Sequence, residues 1–246
     1  MARDMAAADA PVVASDSAEA LAGPSLVAVD CLDGPPTVVL TYDDGPEPGG
    51  TDAVLGALAE CGASATFFVL LSRVRRHESL IHDVLASGHE VGLHGPDHRQ
   101  LVGMDPTDVT SRTRAAKLEL EERTGRAVRW FRPPYGRQSA LTWRAVADAG
   151  LTTVLWTVDC ADWLDATHET RMQNVQAMTE PGAVVLLHDG FANDIDGVDD
   201  GMAPTLDRGE LTRRVIAACG AKGYHCSSLG RALATGSPIE RPRPDG

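Results

Sequence analysis

The feature that most constrains this chain is a repeated alternation of short apolar runs with helical stretches, beginning at Thr37. Apolar runs at Thr37–Tyr42, Ala65–Leu70, Glu90–Leu93, Val128–Phe131, Thr152–Val158, Ala183–Leu187 and Tyr224–Ser227 are nearly continuous in hydrophobicity, as strands buried on both faces are. Helical patterns fall between them, over Thr51–Ala59 (cap Thr51), Arg73–Ala86, Pro106–Arg123 (cap Asp105, stop Gly125), Ala140–Ala149, His168–Met178 and Leu206–Ala221. Strand–helix alternation of this kind predicts a parallel sheet covered by helices. Seven such strands predict a barrel or a partly closed barrel in one α/β domain. Residues 1–36 are expected as a largely disordered N-terminal tail with a short edge segment near Leu26–Val29, 37–232 as the folded domain, and 233–246 as a C-terminal tail.

In a parallel β/α architecture chemistry gathers after the carboxyl ends of strands. Asp43 and Asp44 end the first run in T-Y-D-D-G-P, where buried carboxylates need a cation or donors. His94 and His98 follow the third run in H-G-P-D-H, and Arg132 follows the fourth in R-P-P-Y. Asp159, Asp162 and Trp163 follow the fifth in D-C-A-D-W, and His188 the sixth in L-L-H-D. Every one lies on the same rim.

Two imidazoles spaced His-x-x-x-His, with one carboxylate, suit zinc or a similar divalent ion and leave a position for water. Successive strand residues face opposite ways, so Asp43 and Asp44 divide the work: one on the metal, the other beside it as a base. Arg132 is the cation that keeps such a base ionised. His188 is the candidate acid, its tautomer held by Asp159 or by Asp162. Trp163 is a candidate wall for sugar stacking. The remaining histidines (His77, His82, His89, His168, His225) fall where structural or solvent-facing roles are expected.

The formal net charge of −13 argues against a nucleic-acid backbone or an anionic membrane surface as partner. Five cysteines without a C-x-x-C pair predict reduced, mostly structural thiols, with Cys160 a neutral, half-buried one. Asp4 and Asp9 interrupt any apolar core of a secretory leader, so a cytoplasmic location is expected, or secretion if this sequence has been trimmed.

These five motifs, in this order over about four-fifths of the chain, resemble those of the polysaccharide deacetylases, carbohydrate esterase family 4, with the NodB-homology domain. The resemblance implies a distorted (β/α)7 barrel that removes acetyl groups with a divalent metal, Zn2+ or alternatively Co2+. It implies Asp43 as base, Asp44, His94 and His98 as metal ligands, Arg132 as the residue orienting the base, and His188 as acid. It also implies the Tyr135 backbone amide as oxyanion donor, and Leu186 with Trp163 as the pocket for the acetyl methyl. Two positions depart from the family pattern: Gly95 stands where Ser or Thr braces the loop, and Tyr42 where Phe is usual. The expected partner is an acetylated amino sugar or glycoconjugate, with N-deacetylation first, O-acetyl esterase action on xylan second and a silent carbohydrate-binding homologue third. The acidic segment Asp189, Asp194, Asp196, Asp199 and Asp200 is either a lid favouring amine-bearing substrates or a solvated loop.

Overall fold

A computed structural model describes residues 23–30 and 34–242. The N-terminal stretch expected as a disordered tail, up to residue 22, lies outside the described residues, as does Cys31.

The elements run β1 (Pro24–Asp30), β2 (Thr37–Asp43), α1 (Gly50–Cys61), β3 (Thr66–Leu70), α2 (Leu71–Val74), α3 (Glu78–Ala86), β4 (Glu90–Gly95), α4 (Pro106–Thr124), β5 (Trp130–Phe131) and α5 (Ala140–Asp148). Then come β6 (Thr152–Thr153), β7 (Val158–Asp159), α6 (His168–Met178), β8 (Val184–His188), α7 (Arg208–Ala221), β9 (His225–Ser227), α8 (Leu229–Ala232) and β10 (Ser237–Pro242). Strands β6-β5-β4-β3-β2-β8-β7 form one sheet in that order, and β9 pairs with the start of β2. Every pairing in it is parallel. It is a single-domain, distorted barrel of the expected kind.

The distortion has a definite place. The run expected as one strand, Thr152–Val158, is split: β6 pairs with β5 at one edge of the sheet and β7 with β8 at the other. One short stretch of chain therefore joins both edges of the curled sheet. Strand β1 fills the gap between them, with Leu26 bridging Val154, Leu155 N donating to Leu26 O, and Ala28 bridging Ala183. Strand β10, in the stretch expected as a tail, pairs antiparallel with β1.

Alternation along β2 sorts two hydrophobic layers. Val38, Leu40 and Tyr42 face outward into the core beneath the helices, with Phe67, Leu58 and Val215. Val39 faces inward with Phe68, Val184, Leu26 and Val154. The same phase puts Thr41 and Asp43 on the inner side. Tyr42 keeps its hydroxyl satisfied in the outer core, 3.0 Å from Thr212 Oγ1.

Local departures from expectation have local causes. Helix α1 is capped by Gly49, because Thr51 is buried and spends its hydroxyl elsewhere: it accepts from Glu47 N and donates to Asp189 Oδ2. The helix expected at Arg73–Ala86 breaks into α2 and α3, with His77 leaving helical backbone at φ −130°. Helix α7 begins at Arg208 because the Asp207 side chain accepts from Glu210 N and fixes the cap there. Among the described residues no helix is long and apolar enough to cross a membrane.

Candidate active site

Strand β2 delivers two carboxylates to one cleft by a change of backbone. Asp43 is the last residue of β2, in register with Phe68 and His188. Asp44 leaves the strand in a left-handed conformation, φ 74°. The turn that lets adjacent residues serve one site therefore happens at Asp44 itself. The next residue has to be glycine, since a Cβ at Gly45 would stand 2.0 Å from Asp189 Oδ2.

Asp43 Oδ1 lies 2.8 Å from Arg132 Nη1, and the same nitrogen donates to Thr41 Oγ1 at 2.8 Å. Arg132 Nε and Nη2 donate to the carbonyls of Val154 and Leu155, in the stretch that joins the two sheet edges. The guanidinium lies 4.1 Å over the Phe68 ring and 5.4 Å from that of Trp156. A buried cation so surrounded is held rigidly and keeps its charge next to Asp43.

On the other side of the Asp pair, Asp44 Oδ1 is 3.4 Å from His94 Nε2 and 3.4 Å from His98 Nε2. One ligand atom from each of the three lies within 4.8 Å of the others, and all three residues are buried. His94 Nδ1 donates to Arg132 O at 2.8 Å, which leaves Nε2 with its lone pair toward Asp44. Among the described residues Asp44 Oδ1 is buried with no hydrogen-bond partner. Burial would raise the Asp44 pKa, yet the neighbouring His98, His94 and His188 hold it far below the carboxylate range. An orphaned ionised oxygen facing two imidazole nitrogens fits a divalent metal ion.

Across the cleft, both oxygens of Asp162 bind His188: Oδ1 lies 2.7 Å from Nδ1, and Oδ2 accepts from the backbone N at 2.9 Å. Burial alone would lower the His188 pKa; the charge and hydrogen bond of Asp162, with Asp44 and Asp43, raise it to about 9. Asp159 does not reach His188. It accepts from Ala161 N at 2.7 Å, and Ala161 turns at φ 52° to bring Asp162 into the site. Arg208, which sequence reasoning missed, clamps this corner: its guanidinium donates to the carbonyls of His188 and Gly190 and lies 3.7 Å from Asp162 Oδ2. Cys160 is fully buried, and burial pushes its thiol pKa well up.

Asp43, Asp44, His94, His98 and His188 line a cleft of about 590 Å³ whose wall also includes Tyr135, Trp156, Trp163, Leu186 and Phe191. Tyr135 sits at φ 60° and is half exposed, as is Trp163, while Leu186 is buried beneath. Asp159 also lines the cleft.

The acidic segment is neither a free lid nor a solvated loop throughout. Asp196 is fully buried, and its Oδ2 accepts from Arg73 Nη2 at 2.8 Å and Nε at 2.9 Å. Its Oδ1 accepts from Ser72 Oγ at 2.7 Å. Asp189 is buried on Thr51, and burial raises its pKa to about 7. Only Asp194 and Asp199 are exposed without a part in the cleft.

The sequence matches the family model described as Polysaccharide deacetylase over residues 33–154. It is 38% identical to a chitooligosaccharide deacetylase of Sinorhizobium fredii over 165 residues, 65% of this chain and 75% of that protein. It is 34% identical to a chitooligosaccharide deacetylase of Azorhizobium caulinodans over 197 residues, 78% of this chain and 92% of that protein. A family 4 carbohydrate esterase from Streptomyces lividans, solved with acetate, superposes with a TM-score of 0.68 at 27% identity, covering 85% of this chain and 98% of that one.

Proposed function

The chain belongs to the polysaccharide deacetylase family, and from that premise we propose that it hydrolyses the N-acetyl groups of acetylated amino sugars or their oligomers. The observation that carries this reading is the division of the cleft: a buried Asp43–Arg132 pair on one side of Asp44, His94 and His98, and a His188–Asp162 pair facing it.

Asp44, His94 and His98 would hold the ion, and zinc is the divalent ion that a carboxylate and two imidazoles with open positions suit best. Such an ion supplies Lewis acidity, polarising the acetyl carbonyl and lowering the pKa of water. Asp43, kept anionic beside Arg132, takes the proton from the attacking water as its oxygen bonds the carbonyl carbon. The Tyr135 backbone amide faces the developing oxyanion, a role that its left-handed backbone suits. His188 protonates the amine nitrogen as the C–N bond breaks, and Asp162 stabilises the imidazolium before that transfer. Acetate and a free amine leave. Leu186 and Trp163 bound a slot for the methyl group, and the exposed face of Trp163 is available to a sugar ring.

The test is acetate release from N-acetylglucosamine oligomers and from acetylated xylan, with and without chelator. Release from the amide substrates that stops with chelator and returns with zinc supports the reading. Release from esters alone makes the protein an O-acetyl esterase, and no release from any substrate overturns hydrolysis.

A further inference from the structure

The H-G-P-D-H loop carries the second of the two imidazoles, whose ring packs on that of His94 with centroids 5.2 Å apart, and the position before Pro96 offers it no side chain. Gly95 sits at φ 143°, and a Cβ there would lie 2.6 Å from Asp97 O. Polar bracing comes from elsewhere in the chain.

It comes from the acidic segment. His98 N donates to Asp196 O at 2.9 Å, and Ser72 N donates to Pro96 O at 3.1 Å, so the loop is latched to α2 and to the Asp196 turn together. Past Gly197, in left-handed backbone, the chain brings Asp200 back over the cleft. His98 Nδ1 is buried with no hydrogen-bond partner among the described residues, and Asp200 Oδ2 stands 3.2 Å from it, at ion-pair distance but short of hydrogen-bond geometry. The same carboxylate accepts from the Tyr135 hydroxyl, at 2.8 Å to Oδ1 and 3.0 Å to Oδ2. The Tyr135 ring in turn packs on the His98 ring, centroids 4.4 Å apart and tilted 56°. His98, Asp200 and Tyr135 close a triangle whose corners come from three separate loops.

We propose that Asp200 is a positioning residue: its carboxylate keeps the His98 proton on Nδ1, so that Nε2 presents its lone pair toward Asp44, and it ties that imidazole to Tyr135 on the cleft wall. This rests on the metal-site reading above. A carboxylate on the far nitrogen of a ligating histidine fixes both ring orientation and tautomer and makes the near nitrogen a better donor. His94 has a carbonyl in that role, fixed by the fold; His98 depends on a residue about a hundred positions downstream. The link also gives the acidic segment a purpose that charge alone did not suggest. Its buried Asp196 anchors it, and its last member, Asp200, reaches the metal-binding loop.

Zinc titration against a chromogenic chelator on the full chain tests this without using activity. Asp200→Ala should weaken zinc binding about 10- to 100-fold, the usual consequence of losing such a partner. Asp200→Asn, which keeps an oxygen able to accept from Nδ1, should recover part of the loss. Asp199→Asn, on the exposed neighbour, should bind as the wild type does. Nitrogen-15 spectra of the zinc-free protein should show His98 protonated at Nδ1 in the wild type and divided between tautomers in Asp200→Ala. Wild-type zinc affinity in Asp200→Ala, or in Asp200→Asn if the alanine variant does not fold, overturns the assignment of Asp200 alone. A wild-type protein that takes up no zinc overturns the metal site, and the proposal with it.

Discussion

Arg132 Nη1 stands 2.8 Å from Asp43 Oδ1, with both side chains buried. Replacing the arginine by methionine would leave Asp43 buried without its counter-charge, and losing one member of such a pair costs about 3–5 kcal/mol. Arg132→Met should therefore lower the urea midpoint sharply. Asp43→Asn keeps the shape and removes the base: acetate release should fall by about 10²–10⁴-fold, the range for general base catalysis. Stoichiometric zinc uptake by the asparagine variant would show that the loss is chemical; lost uptake would move Asp43 into the ligand set.

Asp44, His94 and His98 are predicted to act as one unit. Asp44→Asn, His94→Ala and His98→Ala should each lose zinc in dialysis followed by elemental analysis, while circular dichroism shows the fold intact. Because Asp44 Oδ1 has no hydrogen-bond partner among the described residues, chelator should also lower the melting temperature of the wild type, by returning a buried charged oxygen to a state without one. Equal melting temperatures with and without zinc would contradict this.

His188 carries a pKa raised to about 9 from its usual 6.5, burial opposing and Asp162 prevailing. The acid form is the imidazolium, so kcat/KM should hold below that value and decline as pH rises through it. Removing the Asp162 charge leaves burial unopposed by its largest partner, so Asp162→Asn should shift the alkaline limb to lower pH and reduce kcat. The same sign governs stability. A histidine raised on folding stabilises fully below 6.5, and that contribution is lost as pH climbs through about 9. Zinc-free wild type should lose melting temperature over that window more steeply than Asp162→Asn.

Gly95→Ser would install the hydroxyl usual in the family, yet it should harm this protein. Its Cβ would approach Asp97 O to 2.6 Å from a backbone at φ 143°, and strain of this kind costs about 1–3 kcal/mol. A lower melting temperature together with weaker zinc binding is expected; an unchanged or tighter variant would show that the loop can relax around a side chain.

Much of the site could be read from the chain because each polar group interrupts an apolar run at its carboxyl end, where a parallel sheet collects chemistry. Asp43, Asp44, His94, His98, Arg132 and His188 all met that condition, and the structure brings all but Arg132 to the wall of one cleft, with Arg132 buried behind Asp43. What could not be read depended on backbone turns and on distant partners. The choice of Asp162 over Asp159 is made by Ala161 at φ 52°, a conformation that no composition rule assigns to alanine. The split of Thr152–Val158 leaves no mark because both halves are equally apolar; only curling of the sheet separates them. Asp196 and Asp189 looked like members of a solvated acidic run, since the Arg73 and Thr51 that bury them lie 123 and 138 positions away. Arg208 gave no signal, as an arginine opening a polar helix has nothing to distinguish it.

Arg132 takes two of its acceptors, Val154 O and Leu155 O, from the few residues where the curled sheet meets itself. The keystone of the architecture and the support of the proposed base are thus one piece of chain. Loosening at that junction would free the guanidinium and disarm Asp43 while most helices stayed in place. Heat would then silence the protein before it melts it.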